Sequence, residues 1–304
     1  MVNKILTIEI NNGDIRLLEI EGNRIMRWAS QPLAPSVFHE GVVVDRPALT
    51  EALRQLMVSS GARGGNVICS ISGLYSLSRT LTVHTVAGEI PTQQTVVDTA
   101  REIMPVSEEE QYISWQTLAT SESGYLVLLI GVPREMIDNE VLALKAANLN
   151  PRQLDLKPMA LARAVNRQQA LILNIGPSTL DIVIVANGLT EIMRTTTWQS
   201  DGLSPEENIE SLETALELTV GFYDSHHPGF PLDLSTPLFV TGPMSGDATL
   251  VNGLRDRLNY SFEELIPPFE CPPYFPAAQY AVNIGLALKG TTPSPKSPES
   301  GTIL

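Results

Sequence analysis

The sequence predicts an α/β fold of two lobes, with a smaller α/β subdomain inserted into the first. Three observations predict it. A hairpin pattern near the start, ILTIEINNGDIRLLEI, returns as LILNIGPSTLDIVIV from Leu171. Between the copies lies a block whose text changes to strand, helix, strand, strand, helix. The chain has 304 residues, 43% hydrophobic. That suffices for a large core, and cores rarely grow past roughly 250–300 residues without splitting.

The elements follow in order. ILTIEINNGDIRLLEIEGNRIMRWAS reads as three strands joined by the turns NNGD and EGN, because Asn and Gly tolerate positive φ. Pro47 opens a helix whose apolar positions Ala48, Leu49, Ala52, Leu53, Leu56 and Met57 keep helical spacing. NVICSIS, from Asn66, reads as a buried strand. The inserted block then gives a strand in SRTLTVHTV, a helix over Thr92–Met104, strands over Gln111–Leu118 and Tyr125–Pro133, and a helix over Arg134–Ala147 ended by the NLNP turn. It reads as a self-contained unit of about 70 residues.

From Leu171 the hairpin returns. Leu6 falls on Leu171, Ile8 on Leu173, Glu9 on Asn174, Ile10 on Ile175, Asn11 on Gly176, Ile15 on Leu180 and Ile20 on Val185. This is an internal repeat. A helix over Pro205–Ser225 follows, with Leu212, Leu216, Val220 and Tyr223 on one stripe. PLFVTG is a buried strand, MSGDATLVNGLRDRL starts a helix, and Ala277–Leu288 is the last helix. TTPSPKSPESGTIL is Pro/Ser-rich and reads as a disordered tail. The organisation is a first lobe over 1–77, the inserted subdomain over 78–150, a return to the first lobe over 151–170, a second lobe over 171–290 and the tail over 291–304.

A formal net charge of −14 repels phosphate backbones and anionic membranes, so no nucleic acid is expected as a partner. Oriented backbone amides can still hold a small phosphate. Cys69 and Cys271 lie far apart and form no CxxC, as expected of two reduced thiols in the cytoplasm. The start lacks the apolar run of a signal peptide, and no segment reaches the roughly 18 apolar residues of a membrane helix. No direct membrane insertion is expected.

Two hairpins facing each other across a cleft can clamp a nucleotide's phosphates. Their turn N–H groups bind the anion, and acids at the strand ends hold Mg²⁺-bound water. That chemistry asks for carboxylates at Glu9 and Asn174. Glu9 can hold Mg²⁺ through water, whereas Asn174 carries no charge and accepts no proton. Asn11, Asn12 and Gly13 form the first turn, and Gly176, Ser178 and Thr179 the second. A third turn, VTGPMSG, offers Gly242, Pro243 and Met244 to an adenosine, but Pro243 brings no N–H. Other constellations fail. CSISG has Cys69 and Ile71 where a nucleophile elbow needs Gly and Ser. His39, His84, His226 and His227 have no metal-ligand spacing.

The joint order of hairpin, insertion, second hairpin, helix, strand-Gly-turn and closing small-residue helix resembles the actin-like ATPase superfamily. The nearer resemblance is to PilM-type type IV pilus assembly proteins, relatives of the division protein FtsA. TIEINNGDIRLLEI and LILNIGPSTLDIVIVANG look like their two phosphate hairpins. NLNPRQLDLKPMALARAV is similar to the stretch entering the second, LFVTGPMSG to the adenosine turn and YAVNIGLALKG to the closing helix. The resemblance spans about Lys4 to Gly290.

It implies a two-lobed actin-like, ribonuclease-H-like fold with the small subdomain inserted as in FtsA. It implies ATP and Mg²⁺ as cofactors, held by Glu9, Asn11, Asn12, Gly13, Asn174, Gly176, Ser178, Thr179, Gly242, Pro243 and Met244. It also implies docking, from the cytoplasmic side of the inner membrane, on the tail of a PilN-like pilus protein between the subdomain and the first lobe. Homo-oligomer formation stays open. Glu9, Asn11 and Asn12 stand where the family has acid, Gly and Ser, and Asn174 where it has a second acid. Hydrolysis is therefore not expected. A slow ATPase or a small-molecule kinase, the latter needing an Asp base such as Asp45 or Asp181, remains the enzymatic alternative. An FtsA-like division protein would end in a basic amphipathic helix, unlike this tail.

Overall fold

The computed structural model describes residues 4–85, 89–121, 124–198 and 202–291. Strands β1 (Lys4–Ile10), β2 (Asp14–Glu21) and β3 (Arg24–Pro32) form the first meander. A short hairpin, β4 (Phe38–His39) and β5 (Val42–Val43), leads to α1 (Arg46–Ser60), and β6 (Asn66–Ile71) follows. The insertion holds β7 (Leu77–Val83), α2 (Gln93–Arg101), β8 (Gln111–Ser121), β9 (Gly124–Pro133) and α3 (Arg134–Ala146). β10 (Asn150–Leu156) and α4 (Lys157–Val165) return to the first lobe.

The second meander is β11 (Ala170–Ile175), β12 (Thr179–Ala186) and β13 (Leu189–Thr197). After it come α5 (Pro205–His226), β14 (Pro237–Thr241), α6 (Ala248–Arg257), β15 (Ser261–Phe262) and α7 (Ala281–Thr291). The expected tail lies, apart from Thr291, outside the described residues.

Two five-stranded sheets repeat one topology. The first runs β10-β6-β1-β2-β3 and the second β15-β14-β11-β12-β13, each with an antiparallel meander and two parallel strands. The repeat extends to its irregularities. The second turn of each meander is preceded by a register shift at the matching position, Glu19/Ile20 in one and Ile184/Val185 in the other. A bulge adds one residue and increases local twist. Its recurrence at the same place marks the sheets as copies.

Each sheet has an outer and an inner face. In the first, Leu6, Ile8, Ile10, Ile15 and Leu17 join the core beneath α1, whereas Ile5, Leu18 and Ile20 face a central layer. In the second, Leu171, Leu173, Ile175, Leu180 and Ile182 pack with Leu212 and Leu216 of α5, whereas Ile172, Val183 and Val185 face the same central layer. That layer is α4 and α7. Ala160, Leu161 and Ala164 of one meet Ala281, Ile284 and Leu286 of the other between the sheets.

The two helices cross at Gly285, where an added Cβ would overlap the Ala160 carbonyl oxygen. Arg163 donates to the Gly285 carbonyl at 2.9 Å and to Asp155 at 2.7 Å, and Lys289 donates to Asp155 at 3.0 Å. One carboxylate on β10 thus ties both helices.

The inserted residues divide between two cores, which corrects their reading as a self-contained unit. β7, β9 and α2 share a core of Leu81, Val83, Val96, Ala100, Val127 and Leu129. α3 does not join it. Ile137, Ala143 and Leu144 lie in the first-lobe core with Leu49 and Leu53, and Arg54 of α1 donates to the Ala146 carbonyl at 2.7 Å. The apolar stripe of α3 finds a larger matching face on α1 than on a three-stranded sheet already covered by α2.

Cys69 is buried and Cys271 exposed, both as free thiols. Among the described residues, no helix is long and apolar enough to cross a membrane. Gly285→Val forces a branched side chain into the Ala160 carbonyl. It is expected to cost about 3 kcal/mol of unfolding free energy in a denaturant titration.

Candidate functional site

The inner faces of the two sheets carry their densest polar groups next to the first turns. There the register pairs Glu9 with Arg16 in one sheet and Asn174 with Asp181 in the other. All four side chains are buried. The hairpins therefore deliver four polar groups to equivalent places at one end of the central layer.

The first hairpin places its charges in a dense set. Arg16 Nε donates to Asp14 at 2.6 Å, and Asn11 Nδ2 donates to Asp14 at 3.0 Å. A second Arg16 nitrogen donates to the Gln279 carbonyl oxygen, and the guanidinium lies 5.4 Å from the Tyr280 ring centre. Burial pushes the Tyr280 hydroxyl up to about 12, against the lowering influence of Arg16. Lys157, the first residue of α4, reaches Asn11 Oδ1 with its ammonium.

Glu9 lies beneath this set at 1% exposure, and its Oε1 has no hydrogen-bond partner. Burial raises the pKa of Glu9, opposed by Lys157 and then Arg16.

In the second hairpin Asn174 is fully engaged. Its Nδ2 donates to Asp181 at 2.9 Å, and its Oδ1 accepts from Thr241 at 3.1 Å. Asp181 also accepts from Thr195 at 2.6 Å. The buried carboxylate is thus satisfied from two sides, as low-dielectric burial demands. The Asp45 side chain caps α1 by accepting from the Ala48 N–H at 3.0 Å.

The turns meet. Ser178 Oγ donates to the Asn12 carbonyl at 3.2 Å, and Gly13, at φ 127°, brings its Cα so close to Pro177 that a Cβ would stand 3.2 Å from the ring. The Gly176 N–H is used internally, donating to the Thr179 carbonyl at 2.9 Å. In the third turn the Gly242 N–H donates to the Ala278 carbonyl at 2.9 Å, Pro243 opens a 3-10 turn over Pro243–Gly246, and Met244 packs on the second-lobe core.

The structure thus brings Glu9, Asn11, Asn12, Gly13, Asn174, Gly176, Ser178 and Thr179 to one place, with Gly242 beside Asn174. As they stand these residues do not fit a magnesium-bound triphosphate. The turns are in contact, one strand-end acid is an engaged amide, and the other lies under two cations. Among the described residues, no group of three or more His, Cys, Asp or Glu side chains is placed to hold a metal ion.

Two functional-site residues escape the motif reading, Arg16 and Lys157. Arg16 could have been found by counting through the hairpin, since it sits opposite Glu9. Nothing in LKPMALARAV announces that Lys157 points inward.

A further buried carboxyl sits where the insertion meets the first lobe. Glu140 of α3 is 4% exposed. Burial raises its pKa from 4.5 to about 8, against the lowering influence of Lys157. It in turn helps to raise the Cys69 thiol, which burial already lifts well above its ordinary range.

The folded state keeps a proton on Glu140 that the unfolded chain releases, so this group's stabilisation is complete below about 4.5 and declines as pH rises towards about 8. Glu140→Gln lacks that decline, and its melting temperature should gain on wild type throughout this window. Asn174→Asp sets two carboxyls at hydrogen-bond distance, where they share one proton. Its stability deficit should be small near pH 5 and grow with rising pH to about 2 kcal/mol or more at pH 8, read by denaturant titration.

Among curated protein sequences none matches the chain significantly. Its fold is similar to that of a PilM-PilN type IV pilus biogenesis complex, with TM-score 0.77, 22% identity, and 95% of this chain and 99% of that one covered. It is also similar to a Bacteroides thetaiotaomicron protein with an actin-like ATPase fold, with TM-score 0.52, 11% identity and coverages of 93% and 95%. The cytoplasmic domain of EpsL, an inner-membrane component of the Vibrio cholerae type II secretion system, gives TM-score 0.50, 13% identity and coverages of 95% and 94%. The architecture is therefore actin-like. The family model for type IV pilus assembly protein PilM matches residues 7–196, more than half of the chain, and the chain belongs to that family.

Proposed function

We propose that this protein is an actin-like adaptor of a type IV pilus or related secretion assembly. It binds the cytoplasmic tail of a PilN-like inner-membrane protein and is peripheral to that membrane through its partner. The observation that carries the proposal is membership of the PilM family, joined to a likeness over nearly the whole chain to a PilM-PilN complex. The EpsL likeness is consistent with a place in secretion machinery.

The tail is proposed to dock between the inserted residues and the first lobe. α3 leaves the core of the insertion to pack on α1, so a ligand on this side touches both units. ATP hydrolysis is not part of the proposed function. The carboxylate that would orient water is absent at Asn174, and Asp45 and Asp181 already serve as a helix cap and a buried hydrogen-bond acceptor. The adaptor reading therefore stands ahead of an ATPase or kinase reading.

A synthetic peptide with the N-terminal cytoplasmic sequence of a PilN-like protein tests the proposal. Calorimetry should show saturable binding of one peptide per chain, with no phosphate released from MgATP above background. A photo-crosslinking version should attach to residues of 1–77 and 78–150. Crosslinks confined to 171–290, or phosphate release abolished by Glu9→Ala, would refute it.

A further inference from the structure

Lys157 is 2% exposed, and its ammonium donates to Asn11 in the first turn. Its charge lowers the pKa of two buried carboxyls on different elements, Glu9 of β1 and Glu140 of α3. The neighbouring cation, Arg16, is held by Asp14 and by the Gln279 carbonyl. An ammonium taken out of water needs opposing charge and acceptors around it. Lys157, at the start of α4, finds an acceptor in the first turn, with Glu9 as the nearby acid.

We propose that Lys157 is the resident cation of the cleft. It supplies internally the positive charge that a divalent ion supplies where paired hairpins hold a triphosphate, and it keeps the turns together without a ligand. The hold passes in steps that the contacts trace. Lys157 fixes Asn11, the neighbouring Asn12 carbonyl accepts from Ser178, and Gly13 abuts Pro177. One buried side chain of α4 thus holds the first turn, and through it the contact with the second. The inference concerns the cleft alone and holds whichever partner the protein binds.

Hydrogen–deuterium exchange on the full chain tests it, comparing wild type with Lys157→Met, each with and without MgATP. Lys157→Met is expected to raise exchange at least tenfold in residues 9–14 and 175–180 together, while β14 and the α5–α6 side keep wild-type rates. MgATP is expected to leave the wild-type pattern unchanged. Protection of both turns of the wild-type chain by MgATP would overturn the proposal, because a ligand would then be the closing agent. So would Lys157→Met rates that match wild type at the turns, or that rise evenly over both lobes. The nucleotide arm uses only the wild-type chain, so it decides the matter even where Lys157→Met does not fold.

Discussion

The contact on which the rest of the structure depends is the crossing of α4 and α7 at Gly285. The two helices lie between the sheets, so their separation sets the separation of what is mounted on those sheets. With glycine at the crossing, one helix lies against the Ala160 carbonyl of the other. Arg163 and Lys289 then lock the pair to Asp155 of β10 with two charge-assisted bonds, and Arg163 also donates to the Gly285 carbonyl. Asn283, also in α7, donates to Thr7 and to the Arg16 carbonyl, which fixes α7 along the first hairpin. Thin spacing at the crossing brings the first turns of both hairpins into reach of one another.

Duplication produced two equivalent inward polar pairs, and the copies have settled their electrostatics in opposite ways. In the first lobe an acid opposes a cation, Glu9 against Arg16, with Lys157 above. In the second an amide opposes an acid, and Asp181 accepts from Asn174 and Thr195. A carboxylate hydrogen-bonded on both sides can remain buried at modest cost. The shared scaffold therefore holds one site organised around positive charge and one organised around neutral donors. Neither resembles a pair of free carboxylates able to steer water.

Much of the fold could be read from the sequence because hairpins advertise themselves. Alternating residues bounded by NNGD, EGN and PST, repeated at one constant offset, carry register as well as strand content. The offset holds through Ile20 and Val185, beyond the bulge in each copy. β10 and α4 were harder to see. LDLKPMALARAV packs a strand end and a nine-residue helix into one apolar run, and Pro158 at the second helical position reads equally well as a break. The allegiance of α3 was not legible either, since its stripe specifies an apolar neighbour without saying which. Of the cleft, the turns and strand-end residues could be located. Their closure could not, because it rests on Lys157 and Ser178, whose roles depend on contacts across more than a hundred residues.

The unequal fates of the two thiols have a practical consequence. Cys69 is sealed inside the first sheet beside Glu140, in an environment that suppresses the thiolate. Cys271 is exposed, one residue past Glu270, whose carboxylate binds Arg24 at the edge of the first lobe. A maleimide dye added to the native protein will mark a single position, without any engineered cysteine. Its emission and anisotropy give a spectroscopic vantage point at the junction between the late chain and the β2–β3 turn.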